Sequence, residues 1–470
     1  MIAQTKQGEH FRTFYILILT QMLSLIGSRV SSLAVGVWIY SETGNATPLA
    51  MVSFFTAIPS VIAGTISGVL ADRWDRRVVM ALADAGQAVG TVLLFISFVS
   101  GDFQLWHLYV VVLIQAVFGI FQSPAFNASI TMLIPNDKRV RANALRQLSL
   151  PAAGVIAPVI ATGIYIAVGV EGAIAIDLLT FFVAMAVVLR VYIPQPEQTA
   201  IGRAMKGSIW KEAWGGILYL WERKPLLYMM GYYAFANFFA GFAMILTIPY
   251  LIARIGDEGE MGIALSIINL GAIAGIIIIA YWSGVKNRVR LIVLVGIMKG
   301  IFLALGGASQ TTIALVLTQF LVLLPIPIGN SVFIAILQAK VPPDVQGRVF
   351  AVMGQLVRLL LPIAYFSAGP LADKVLEPMV GTSSWDAFAP IFGNTAGSGM
   401  GLVYFVSGLT LVGLAIGLYM IPSVRNVEVI LPDYVPEAKA KPELVEPEST
   451  LEVLSFDSDT DTHIQRRIKI

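Results

Sequence analysis

Cysteine is absent from this chain of 470 residues, and histidine occurs only three times. The first absence excludes disulfides, thiol nucleophiles and thiolate metal sites. Three scattered histidines offer no cluster for a catalytic metal, and no cofactor is expected. Charge is scarce as well: Asp, Glu, Lys and Arg make up 13% of the chain, with a net charge of +2. That balance carries no basic footprint for nucleic acid. No G-x-x-x-x-G-K-[ST] loop occurs, so an ATP-driven pump has no phosphate cradle here. The opening "MIAQTKQGEHFRTF" lacks an early apolar run with a small-residue cleavage site. No cleaved signal peptide is expected; the first apolar span inserts by itself.

What the chain has in excess is apolar surface. It is 57% hydrophobic, with a mean hydropathy of +0.79. A soluble domain sits near half apolar and a quarter charged. No single core hides this much, so the bilayer must be the solvent. A spanning helix needs about 20 apolar residues. Twelve such runs are expected, near 14–40, 48–71, 78–99, 105–134, 143–168, 173–193, 226–254, 260–283, 291–309, 312–340, 348–373 and 399–422.

The cations choose sides. One set of loops holds Arg73, Arg76, Arg77, Lys138, Arg139, Arg141, Arg203, Lys206, Lys211, Arg223, Lys224, Lys286, Arg288, Arg290 and Arg348. The alternate loops hold Glu42, Glu171, Asp257, Glu258, Glu377 and Asp386, with Arg254 and Lys374 as cations. By the positive-inside rule both termini are cytoplasmic in the cell (inner) membrane. The polar stretch 194–225 divides the spans into six and six. The expected organisation is a six-helix bundle over 1–193, a cytoplasmic middle loop over 194–225, a second bundle over 226–422, and a disordered cytoplasmic tail over 423–470. The tail reading rests on its Pro, Glu, Asp, Ser and Thr content.

A short repeat supports the division. "PNDKRVR" (135–141) leaves the fourth span and "PPDVQGR" (342–348) leaves the tenth. Both read P-x-D-x-x-x-R at equivalent places in the two halves. Repeats packed about a midplane site describe secondary transporters.

Between the second and third spans stands "GVLADRWDRRVVMALAD" (68–84). Three arginines there serve as a positive-inside anchor. The aspartates alternating with them weaken that signal and ask for another role. Gly68 allows close helix approach. A carboxylate at Asp72 can accept hydrogen bonds from arginines or from the free N–H groups of a helix N-terminus.

These features resemble the major facilitator superfamily over about 10–422, through Gly68, Asp72, Arg73, Arg76 and Arg77. Asp75 stands where the general pattern has glycine. With Asp84 it makes the version found in the exporter branch that includes macrolide efflux proteins and the enterobactin exporter. The resemblance implies an all-α integral membrane protein of twelve helices in two pseudo-symmetric bundles, and a transporter that is not an enzyme. It also implies a conformational latch of Gly68, Asp72, Arg73, Asp75, Arg76, Arg77 and Asp84. That latch engages the start of the eleventh span near Arg348, with Arg141 as its repeat.

Ionisable groups inside the membrane are functional candidates by default. Arg29 and Arg358 lie near mid-depth, one in each half. The family fold places their spans on the central cavity, where they favour an anionic substrate. The same fold implies that Lys299 and Asp177 pack behind the cavity. Gln115, Gln122, Phe235, Asn237, Phe238 and Asn330 complete the candidate substrate set, each with interhelical packing as the alternative. Asp177 is the candidate proton carrier. The expected partners are a small-molecule substrate, protons and the lipid bilayer, with the chain acting as a monomer. The expected function is proton-coupled efflux of a small organic compound by alternating access. An importer or facilitator of a small organic anion is the alternative, since fold does not set direction.

Overall fold

In a bilayer core every backbone N–H and C=O must be satisfied within the chain, so runs of this hydropathy fold as helices. The computed structural model describes residues 2–133, 139–191, 217–282 and 287–433. The side chains of residues 2–12, 65–73, 76, 123–125, 127–133, 139–147, 343–345 and 347–348 are outside that description. The described residues are helical, without a strand.

Span 1 is Ile2–Thr43, span 2 Thr47–Arg73, span 3 Arg76–Val99 and span 4 Leu105–Leu133. Spans 5 and 6 form one run, Arg139–Arg190, broken at Gly169. Gly169 has φ +75° and ψ −174°, a conformation that glycine adopts without steric cost. Eleven helices are long and apolar enough to cross a membrane, and one of them, Leu148–Arg190, has 43 residues. At 1.5 Å per residue that is about 65 Å, two bilayer cores. The chain therefore carries the twelve spans expected.

Span 7 is Lys224–Ile255, span 8 Glu258–Tyr281, span 9 Arg288–Gly307 and span 12 Ser398–Met420. Spans 10 and 11 are interrupted. Span 10 runs Thr312–Leu323 and then Pro325–Lys340; span 11 runs Pro343–Leu356 and then Leu361–Leu371. Pro325 and Pro362 each remove a backbone donor just past the break. Polar residues start other spans. Asp75 accepts from the N–H groups of Arg77 and Val78, and Asp257 from that of Glu260.

Spans 1, 3 and 4 pack with their neighbours in the first half, and span 9 packs on span 12 in the second. Two contacts dominate the junction of the halves. Span 2 lies along span 11, and span 5 lies along span 8, where the Ser266 hydroxyl donates to the Val155 carbonyl at 2.6 Å. Loops that follow odd-numbered spans share one face, here the odd-loop face; the others define the even-loop face.

Beyond span 12 the sequence reading expects a disordered tail from 423. The structure corrects its start. Pro422–Arg425 and Val427–Ile430 are short helices, and Val424 and Val427 are fully buried. They join the cluster formed by Leu226, Ile292 and Ile336. The Lys340 ammonium donates to the Glu428 carbonyl at 3.2 Å and to the Leu431 carbonyl. It also pairs with the Asp433 carboxylate at 2.7 Å. Its hydrogen bond to Asp433 holds that carboxyl below the ordinary carboxylate range. A buried lysine needs such acceptors, and this segment supplies them. Residues 434–470 lie outside the described residues.

Candidate functional site

A cavity of about 770 Å³ lies between the halves, lined by spans 1, 5, 7, 8, 9, 10, 11 and 12. Its wall carries three cations: Arg29, Lys299 and Arg358. Among the described residues no Asp or Glu lines it. None of the three cationic side chains has a hydrogen-bond or ion-pair partner among the described residues.

Arg358 owes its place to the break in span 11. Between Leu356 and Leu361 the backbone runs through tight turns, with the N–H of Arg358 donating to the Gln355 carbonyl and that of Leu361 to the Arg358 carbonyl. The Val357 carbonyl freed by the break accepts from the Asn237 amide at 2.8 Å. Broken helices at mid-depth are tolerated where they line a cavity.

Lys299 corrects the expectation that span 9 is peripheral. Ile292, Gly296, Lys299 and Leu303 recur at helical spacing and all line the cavity. Gly296 makes this approach possible, because a Cβ there would collide with the Tyr232 hydroxyl. Tyr233 stacks on Phe333 with centroids 4.3 Å apart and donates to the Gly329 carbonyl at 3.2 Å. These rings form an apolar wall beside the cations.

A second cavity of about 300 Å³ adjoins the first through Met244, Ile248 and Tyr365, which line both. Asp177 lines it, again against the expectation that it packs behind. Its carboxylate accepts from Ser28 at 2.9 Å and from Thr91 at 3.5 Å. Gln115 donates to the Thr91 hydroxyl at 2.9 Å. Two turns away on the same face of span 3, Asp84 is fully buried. It accepts from Gln122 and, at 3.5 Å, from Gln21. Gln87 links the two groups: it donates to Gln122 at 3.0 Å, and its carbonyl accepts from Thr91. Among the described residues neither carboxylate has an ion pair. The first half thus concentrates buried carboxylates and amides, while the second contributes two of the three cavity cations.

Of the substrate candidates, Arg29, Asn237, Asn330 and Arg358 line the main cavity. Gln115 lines the smaller one, and Gln122 serves Asp84. Phe235 is 52% exposed and lines neither cavity. Phe238 packs on Phe239 and Phe242. Of the latch candidates, Asp75 caps its own helix, and Asp84 points into the bundle and not to the even-loop surface. The side chains of Gly68, Asp72, Arg73, Arg76, Arg141 and Arg348 lie outside the described residues.

The odd-loop face is closed by contacts that sequence reading missed. Asp373, past the end of span 11, accepts from the N–H groups of Ala46 and Thr47 at 2.9 and 2.7 Å. The Thr47 hydroxyl adds a third bond at 2.5 Å. Ser41 donates to Glu258 at 3.1 Å. With the Ser266 bond, these hydrogen bonds tie the halves together.

Two helical halves around a polar-studded cavity, with a helix broken at its wall, define a membrane transport protein. The chain belongs to the Major Facilitator Superfamily, whose family model matches residues 17–365. It is a transport protein, not an enzyme. Macrolide efflux protein A of Streptococcus pyogenes is 25% identical over 426 residues, 88% of this chain and 97% of that protein. Macrolide efflux protein A of Enterococcus faecalis is 26% identical over 331 residues, 68% of this chain and 99% of that protein. A crystal structure of a mutant nucleoside transporter NupG matches with a TM-score of 0.65 at 14% identity, covering 87% of this chain and all 100% of that one. A bacterial homolog of the human lysosomal transporter Spinster, inward-facing and unoccupied, matches with a TM-score of 0.64 at 14% identity, covering 89% and 96%.

Proposed function

We propose that the protein is a proton-coupled exporter of small organic compounds, working as a monomer in the cell membrane by alternating access. The carrying observation is the division of labour between the two cavities. The larger offers apolar walls and cations for a drug-sized ligand. The smaller holds Asp177, a buried carboxylate that can pick up and release a proton as access changes. Met244, Ile248 and Tyr365 line both, so ligand and proton occupancy have a shared wall through which to couple.

The export direction draws on the macrolide efflux relatives. The loop cations support cytoplasmic termini, with the odd-loop face outside. On that reading the tied odd-loop face makes this the inward-facing state. The bundles run over 1–193 and 226–422, with 194–225 as the cytoplasmic link. Asp72 and its arginines then form a latch at the even-loop face, engaged in the opposite state.

Everted vesicles test the reading. Vesicles carrying the protein should accumulate a radiolabelled macrolide when an inward-acid gradient is imposed, and a protonophore should abolish the accumulation. Uptake that ignores the gradient would remove proton coupling. Accumulation only in right-side-out vesicles would make the protein an importer.

A further inference from the structure

Three polar donors on the main cavity wall have no acceptor among the described residues. Neither the Lys299 nor the Arg358 side chain has a hydrogen-bond or ion-pair partner among the described residues. Gln319, 6% exposed, has a buried amide nitrogen without an acceptor. Lys299 is half-buried and Arg358 is exposed, both on the cavity wall; an ionisable group at membrane depth that lacks a counter-charge is costly, so their place here points to a ligand. The amide of Gln319 lies against Gly306, which is two helical turns from Lys299 along span 9, about 10 Å. Resting on the reading of this cavity as the substrate site, we infer that its ligand is an organic anion. Its oxyanion is taken by Lys299, a second acceptor about 10 Å away meets Gln319, and its apolar body lies on Tyr232, Tyr233 and Phe333.

The test uses the purified full chain and three probes of one ring system: naphthoate, naphthalenesulfonate and naphthalenemethanol. The anions should bind more tightly than the alcohol in calorimetry. Lys299→Met should lower anion affinity about tenfold to a hundredfold and leave the alcohol unchanged. Folding is not at risk, because the substitution removes an unpaired charge from an apolar span and keeps the side chain's length. Equal binding of all three probes, absence of anion binding, or an undiminished anion preference in Lys299→Met overturns the inference. Macrolide efflux by the parent reports separately: if the parent exports a macrolide but binds all three probes equally, the exporter reading stands and the anion subsite falls.

A different observation carries a second inference. Span 2 ends in "SGVLADR" (67–73) and span 11 in "AGPLADK" (368–374). Both read G-x-L-A-D-[RK]. The two spans are packed on each other and run in opposite directions, so the two motifs fall on opposite faces. Asp373 of the second motif caps the start of span 2. The geometry points to Asp373 as the clasp of the odd-loop face, placed by the repeated motif as the counterpart of the latch proposed at Asp72; opening the odd-loop face requires the Asp373 clasp to release.

The absence of native cysteine makes the test direct. Spin labels at Glu42→Cys and Ser384→Cys, both exposed, report the odd-loop gap. Asp373→Ala should raise the open population about tenfold, and Asp373→Glu should restore part of the closed population. Thr47→Val, which removes one bond of three, should give a smaller shift in the same direction. An unchanged distance distribution in Asp373→Ala overturns the inference. If Asp373→Ala does not purify, an unchanged distribution in Thr47→Val does so.

Discussion

Thr47 and Asp373 stand 326 positions apart in the chain and meet through two hydrogen bonds, one from the backbone N–H and one from the hydroxyl. The approach depends on Gly369, one turn before Asp373. A Cβ on Gly369 would lie 2.6 Å from the Thr47 Cα, closer than packed atoms permit. Gly369→Val should therefore hold the odd-loop face apart and stop transport. Expression should survive, because the contact joins two halves that each keep their own core. Vesicle transport with an immunoblot for protein level checks this; normal transport contradicts it.

Asp177→Asn keeps the size of the side chain and an acceptor for Ser28, but removes the titrating group. Substrate binding should change by less than about threefold, since the residue lies in the adjoining cavity and not in the main one. Substrate-driven proton movement in proteoliposomes, read with a trapped pH dye, should disappear. Proton movement at the parental rate would assign the coupling elsewhere.

Asp84 answers a different question from Asp177. Its carboxylate satisfies donors from Gln122 and Gln21, spans 4 and 1. Asp84→Leu strands both amides in a buried site and should cost about 1–3 kcal/mol. A drop in melting temperature of the detergent-purified protein checks it. Asp84→Asn still accepts at one oxygen and should cost less.

The spans were legible because hydropathy and loop charge are strong signals spread over twenty residues at a time. Arg29 and Arg358 were legible because a cation in an apolar run is costly and stands out, whether it meets a ligand or ties helices together. Lys299 was misplaced by a rule about whole spans; the stripe Ile292, Gly296, Lys299 and Leu303 decides the matter, and its facing needs Gly296 beside Tyr232. The break that presents Arg358 had a signal in Pro362, four residues on. Asp373 closed the expected run 348–373 and drew no reading of its own, because its partners are backbone N–H groups that no side-chain pattern reveals. The ordered stretch to Asp433 looked like tail because its two buried valines are too few to stand out.

The Lys340–Asp433 pair makes that stretch sensitive to acid. The folded carboxyl titrates below its unfolded value near 4. Its contribution is therefore present above that value and lost as pH falls through the folded pKa. Asp433 is well exposed, so the pair itself contributes little; the effect is local. Hydrogen exchange over 422–433, corrected for intrinsic rates, should show protection at pH 7 that weakens below about pH 4. Asp433→Asn should flatten this dependence. Lys340→Met, which leaves two carbonyls without their donor, should cost about 1–3 kcal/mol. Identical pH profiles for the parent and Asp433→Asn would contradict the assignment.

Asp75 separates a helix cap from a latch. It is the residue that departs from the general superfamily pattern, and its side chain accepts from the N–H groups of Arg77 and Val78 at 2.8 and 3.3 Å. A cap needs only a short acceptor, which serine provides as well as aspartate. A latch that works by charge needs the carboxylate. If the cap is its whole role, Asp75→Ser should transport like the parent, and Asp75→Ala should lose about 0.5–2 kcal/mol of stability with transport scaled to the folded fraction. If Asp75→Ser folds normally and transports poorly, the charge itself is required. The site between spans 2 and 3 then uses Asp75 together with Asp72 to set which face opens.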